Sequence, residues 1–266
     1  LILEGIVDPS RQQVTLLTVA GIFHGPYPPL KNNLVVQYVE ADAARQLFDL
    51  NDPESTVSKS LFSALDHVLQ AGVSITCVSS WLDQVVPFYS ACLLGVDHPN
   101  IWRCVYIDEE HYSPDFLSHL VTLGLKIKNL GIGIGEPETH MILSYISDWI
   151  AGSLLQHTTH SSAYRDQRPY QAALEWMTLG PKTSGIPVIP VDHVLQRPLQ
   201  AVINPYYLPW LFRGWLHNQN LLQHPLISEE LENLNQKFNE WQPESKALRD
   251  LKFKLEPITL LLKNKL

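Results

Sequence analysis

Residues 79–87 read Ser-Ser-Trp-Leu-Asp-Gln-Val-Val-Pro, and the acid among them, Asp83, closely follows a short β-branched run. A carboxylate leaving the C-terminal end of a buried strand stands where open α/β sheets gather their functional groups. Further along, residues 155–164 read Leu-Gln-His-Thr-Thr-His-Ser-Ser-Ala-Tyr and carry His157 and His160 in a polar loop. An acid followed by a histidine is the chain order of one kind of Ser-Asp-His triad. In that chemistry a buried carboxylate fixes the imidazole tautomer and stabilises the imidazolium formed as a serine loses its proton. Each residue also has a plainer role open to it. Asp83 could be a helix-start acid near Val85, and His160 could be a solvent-facing loop histidine. His157 competes for the same role, and Asp108, at the end of another strand pattern, is a weaker rival to Asp83. The pair His157-x-x-His160 lacks a third ligand at a supporting distance, so a metal site is not expected.

A nucleophile is harder to find. No Gly-x-Ser-x-Gly occurs in these residues, and that strained elbow is the usual setting of the serine. Ser79 and Ser80 precede Trp81 and Leu82, which are too large for such a turn. Ser161 and Ser162 adjoin His160 in the chain, an arrangement that seldom lets a base approach a hydroxyl. The serine is therefore expected upstream of Leu1, and the chain as given is not expected to catalyse acyl transfer.

The elements around these residues alternate. Residues 14–20, 73–78 and 101–107 are short apolar, β-branched runs of the kind that form parallel strands buried on both faces. Between and after them, residues 38–50, 58–71, 115–129, 138–156 and 169–177 show helical spacing, and Val85 to Pro87 reads as the opening of a helix through Leu94. Strands alternating with helices imply βαβ units and a parallel sheet. Three strands are few for a doubly wound sheet, and the chain opens inside an apolar run, so an earlier part of the α/β domain is expected to precede it. Residues 21–29, Gly-Ile-Phe-His-Gly-Pro-Tyr-Pro-Pro, read as a loop, and residues 180–209 as Pro-rich and irregular. A helix start is expected at Ser228, within the charged segment 228–256.

The 266 residues carry a net charge of −8, with 45% hydrophobic and 17% charged residues. That composition describes a folded globular chain, and its acidity argues against nucleic acid as a partner. The three cysteines, Cys77, Cys92 and Cys104, are an odd number in or beside apolar elements, which suggests reduced core thiols in an intracellular protein. No apolar run reaches the ~18 residues of a membrane span.

Four segments carry a family resemblance: Leu16-Leu-Thr-Val-Ala-Gly-Ile-Phe-His-Gly-Pro26, Tyr38-Val-Glu-Ala-Asp-Ala-Ala-Arg45, Ser80-Trp-Leu-Asp-Gln-Val-Val-Pro87 and Asn204-Pro-Tyr-Tyr-Leu-Pro-Trp210. Together they resemble fungal, lipase-like proteins of the α/β-hydrolase superfamily, over residues 14–257. The resemblance implies a partial α/β-hydrolase fold, with a mostly parallel sheet flanked by helices over residues 1–179, and a helical C-terminal extension over residues 180–266. It implies an ester or lipid hydrolase acting through an acyl-serine, with Asp83 as acid and His160 as base. Residues 158–161, Thr-Thr-His-Ser, fall where the family has Gly-x-Gly-His-Ser, so both glycines are replaced. In such enzymes the loop holding His24 and Gly25 lies near the site and would line the pocket, though a rigid Pro-rich turn explains it equally. The substrate would be a small-molecule ester or lipid, and no metal or organic cofactor is called for. The alternative is a non-catalytic hydrolase-like scaffold that meets a protein partner through its charged tail.

Overall fold

The computed structural model describes residues 8, 11–28, 30, 46–81, 83–108, 113–133, 136–153, 162–179, 185, 189–190 and 207–263. Strands β1 (Thr15–Val19), β2 (Ser74–Ser80) and β4 (Ile101–Tyr106) form a parallel sheet in the order β1-β2-β4. Val19 pairs with Val78, and Ser80 with Tyr106, so the C-terminal ends of the strands lie together. All seven residues of β2, Ser-Ile-Thr-Cys-Val-Ser-Ser, are buried, as befits a strand paired on both edges, with β1 on one side and β4 on the other. Helix α1 (Thr56–Gln70) delivers the chain to β2. Ser55 caps it by accepting from the Ser58 amide, Leu65 and Leu69 face the sheet, and Gly72 turns the chain at φ +87°. The helical pattern expected over residues 38–50 is described only at its end, where Leu47–Asn51 is a 3-10 turn.

After Asp83 the expected long helix is one turn, α2 (Phe88–Ala91). The chain then kinks through Leu93 (φ +49°) and Gly95 (φ +88°). The cause lies on another element. The Arg103 side chain, buried in β4, donates to the carbonyls of Cys92 (2.8 Å), Leu93 (3.1 Å) and Val96 (2.5 Å). Those acceptors can no longer serve a continuing helix. The kink leads into β3 (Val96–Asp97), a two-residue strand antiparallel to β5 (Ile189–Pro190).

Helix α3 (Phe116–Asn129) begins with a capping box between Asp115 and Ser118. Its last residue returns to the sheet: the Arg103 amide donates to Asn129 Oδ1 (2.9 Å), and Asn129 Nδ2 donates to the Arg103 carbonyl (2.8 Å). Helix α4 (Pro137–Ser153) packs on α3, followed by α5 (Ser162–Arg165) and α6 (Arg168–Leu179). The C-terminal helices are α7 (Tyr207–His217), α8 (Gln219–Gln223), α9 (Pro225–Glu240), α10 (Lys246–Leu255) and α11 (Pro257–Lys263). Two expectations change here. The irregular segment gives way to helix at Tyr207, because Leu208, Phe212, Trp215 and Leu216 form a buried stripe at helical spacing. The next long helix starts at Pro225, three residues before Ser228, because proline is suited to the first helical position.

One hydrophobic cluster runs from Trp81 and Phe88 through α3 and α4 to Phe238, Leu251 and Ile258 of the C-terminal helices. Polar contacts reinforce it. Trp215 Nε1 donates to Thr139 Oγ1 (2.8 Å), and Trp241 Nε1 donates to Asp115 Oδ2 (2.8 Å). Among the described residues no helix is long and apolar enough to cross a membrane.

Candidate active site at the C-terminal ends of the strands

Asp83 stands three residues beyond β2 with 5% of its surface exposed. Its Oδ1 accepts from the amides of Val85 (2.8 Å) and Val86 (2.9 Å), a local turn that fixes where the carboxylate sits. The turn is fastened from both sides. The Trp81 amide donates to the Tyr106 carbonyl at the end of β4, and the Tyr27 amide donates to the Val85 carbonyl, both at 2.8 Å. The loop beginning at Gly21 is thus tied to the Asp83 turn. Asp108 lies two residues beyond β4.

His160 and His157 lie outside the described residues, but the segment that follows them does not. Ala163 is fully buried against Val78 and Tyr106. The Tyr164 hydroxyl donates to the Val19 carbonyl at the end of β1 (3.1 Å), and the Tyr170 hydroxyl donates to the Tyr164 carbonyl (3.3 Å). Asp166 accepts from the Tyr106 hydroxyl (3.0 Å) and pairs with Arg168 (2.7 Å). Residues 163–168 therefore touch the ends of all three strands. Burial, the Asp83 carboxylate and Tyr170 together push the Tyr164 phenol above its usual range, so Tyr164 shares an electrostatic environment with Asp83. Sequence reasoning passed over Tyr164 and Tyr106; their nearness in sequence to His160 and to the end of β4 was the only available signal.

His24 is buried, not spread along an open loop. Its amide donates to Ser90 Oγ (3.0 Å), its Nε2 meets the Leu94 carbonyl at 2.6 Å, and the ring stacks on Phe62 at 5.4 Å. Burial lowers its pKa to about 4, so at neutral pH Nε2 donates and Nδ1 is an acceptor with no hydrogen-bond partner. Gly25 next to it adopts φ +80°, and a Cβ there would lie 2.5 Å from Asn51 Nδ2. Only glycine suits both demands.

A second polar cluster lies within the fold. Asp97 on β3 accepts from His140 Nε2 (2.9 Å) and from Lys128 Nζ (2.8 Å), with all three side chains buried. His140 Nδ1 accepts from the Gly95 amide (3.1 Å). Burial lowers the His140 pKa to about 4. Burial alone would raise the Asp97 carboxyl, but His140 and Lys128 hold it well below the usual carboxylate range. The cluster is a neutral imidazole and an ammonium around one carboxylate, binding β3 to α3 and α4. Among the described residues no group of three or more His, Cys, Asp or Glu side chains is placed to hold a metal ion. The three cysteines are free thiols, and burial raises the pKa of each, to about 12 at Cys104.

No significant match was found among curated proteins or among solved structures. The family model of the YMC0/YMC35 alpha/beta hydrolase domain, however, matches residues 1–219. That span holds the parallel sheet, the Asp83 turn and the segment latched across the strand ends, and the chain belongs to the YMC0/YMC35 alpha/beta hydrolase domain family.

Proposed function

We propose that the chain is the acid- and base-bearing portion of a lipase-like serine hydrolase of the fungal type its motifs resemble. In this reading Asp83 orients His160, and His160 takes the proton from a serine that precedes Leu1. The serine attacks the ester carbonyl, the alcohol leaves with the proton returned by the imidazolium, and water releases the acid from the acyl-serine. The observation that carries the reading is the latch at residues 163–168. It holds the chain that follows His160 in the sequence across the strand ends, where Ala163 packs on Val78 and Tyr106 and the Tyr164 phenol feels the Asp83 carboxylate. His24 and Gly25 enter as residues that shape the loop bound to the Asp83 turn. Within the C-terminal extension, the helices of residues 207–255 brace α3 and α4.

A second assignment of the base is favoured by the register of the sheet. Because β4 ends beside β2 at the Ser80–Tyr106 pair, the loop after it starts at the same sheet end, and His111 follows five residues beyond Tyr106. Fluorophosphonate labelling of the complete gene product separates the readings. Labelling lost in both Asp83→Asn and His160→Ala supports the first assignment. Loss in His111→Ala with His160→Ala unaffected moves the base to His111. An unlabelled complete protein rejects the hydrolase and leaves a binding protein built on its fold.

A further inference from the structure

The kink between α2 and β3 is clamped by side chains from three other elements. Arg103 of β4 donates to the carbonyls of Cys92, Leu93 and Val96. His24 Nε2, from the loop after β1, meets the Leu94 carbonyl at 2.6 Å, and the Gly95 amide donates to His140 Nδ1 of α4 at 3.1 Å. Two imidazoles thus grip adjacent residues of the chain, and both grips need a neutral ring. A second proton on His140 would set an N–H against the Gly95 N–H. A second proton on His24 would fall on Nδ1, which has no hydrogen-bond partner among the described residues. Charge acts in the same direction. His24, His140 and Lys128 all feel the Arg103 guanidinium, and His140 feels the Lys128 ammonium as well. Facing these four basic groups are Asp97, already bonded to His140 and Lys128, and the exposed Glu136, which acts on Lys128. Tyr89 lies beside the His24 ring at 6.4 Å, and the Cys77 and Cys92 thiols near Arg103 stay neutral because burial raises their pKa. Leu93, within the clamp, is fully buried at φ +49°, a backbone position that costs a leucine.

From this geometry we infer that the kink is a proton-operated joint: when His24 and His140 each take a second proton, residues 92–97 open locally while the sheet and the C-terminal helices stay folded. Both protons add positive charge to a buried group of bases that shares the Asp97 carboxylate, and opening relieves that repulsion by letting water reach the rings. Few backbone bonds oppose the movement, since β3 pairs with β5 over two residues only. Opening also withdraws Leu93 and Leu94 from the core, which keeps the joint shut at neutral pH. The joint reaches the sheet end as well, because the loop that carries His24 is bonded to the Asp83 turn through the Tyr27 amide and the Val85 carbonyl. The inference itself is independent of any catalytic activity.

Amide hydrogen exchange of the whole chain at pH 7.5 and 5, corrected for the intrinsic pH dependence of exchange, tests it. Burial lowers both imidazoles from 6.5 to about 4, so protection over residues 92–97 should fall about 30-fold for each ring released and about 900-fold for both. In His140→Gln, which cannot take the proton, the fall should shrink to about 30-fold. At pH 5, urea below the unfolding transition should leave exchange over residues 92–97 unchanged while it accelerates exchange in α3, the mark of an opening smaller than global unfolding. Protection over residues 92–97 that is equal at the two pH values overturns the inference. So does exchange there that follows urea as α3 does, because the protons would then be taken up only on global unfolding. The urea comparison uses the unsubstituted chain, so it decides the matter even where His140→Gln fails to fold.

Discussion

Lowering the pH from 7.5 to 5 should destabilise this fold through two imidazoles alone. His24 and His140 both have pKa values lowered by burial from 6.5 to about 4. Between those values the unfolded chain binds protons that the folded chain refuses, so stability rises with pH across the window and is lost on acidification through it. With 6.5 for the unfolded state and about 4 for the folded state, each histidine costs about 2 kcal/mol at pH 5, and the pair about 4 kcal/mol. That is a large share of the 5–15 kcal/mol that typically holds a native domain. The geometry explains the refusal. His24 Nδ1 has no acceptor to receive a second proton, and His140 Nδ1 already accepts from the Gly95 amide. Urea unfolding at pH 7.5, 6 and 5 measures the loss. His140→Gln keeps a donor toward Asp97 and an acceptor for Gly95 while removing the titration, so it should reduce the pH-dependent loss by about half. Equal unfolding free energies at pH 7.5 and 5, or a slope untouched by His140→Gln, would refute the argument.

Other perturbations have definite signs. Asp97→Asn leaves the Lys128 ammonium buried without its carboxylate and should cost about 3–5 kcal/mol by urea unfolding. Gly25→Ala places a Cβ against Asn51 at a left-handed backbone position and should cost about 1–3 kcal/mol in the same assay. Tyr164→Phe removes one hydrogen bond to the end of β1 and should cost only about 1 kcal/mol of global stability. In hydrogen exchange its effect should concentrate in residues 162–168.

The elements that could be read from sequence are those with strong local periodicity. Residues 15–19, 74–80 and 101–106 are β-branched runs closed by turn residues, and α1 and α3 carry their own cap and stop signals at Ser55, Gly72 and Asp115. What escaped depends on partners distant in the chain. Helix α2 stops after one turn because Arg103 takes the next carbonyls, although an arginine inside Ile-Trp-Arg-Cys-Val-Tyr was a visible anomaly. Strands β3 and β5 are two residues each and have no period to detect. Asp83 was legible as an acid at a strand end, while the latch beside it was not. The contacts of Tyr164 with Val19 and of Asp166 with Tyr106 join residues 145 and 60 positions apart.

The amide of Asn129 has a consequence for what the sheet can recruit. Arg103 is the third of the six residues of β4, and on the side away from β2 both its backbone donor and its backbone acceptor are occupied by that one side chain. An incoming strand would have to displace Asn129 before it could find a register. The β4 border is therefore closed to edge-to-edge aggregation. Growth of this sheet, by another strand of the same polypeptide or by a neighbouring molecule, is confined to the side of β1.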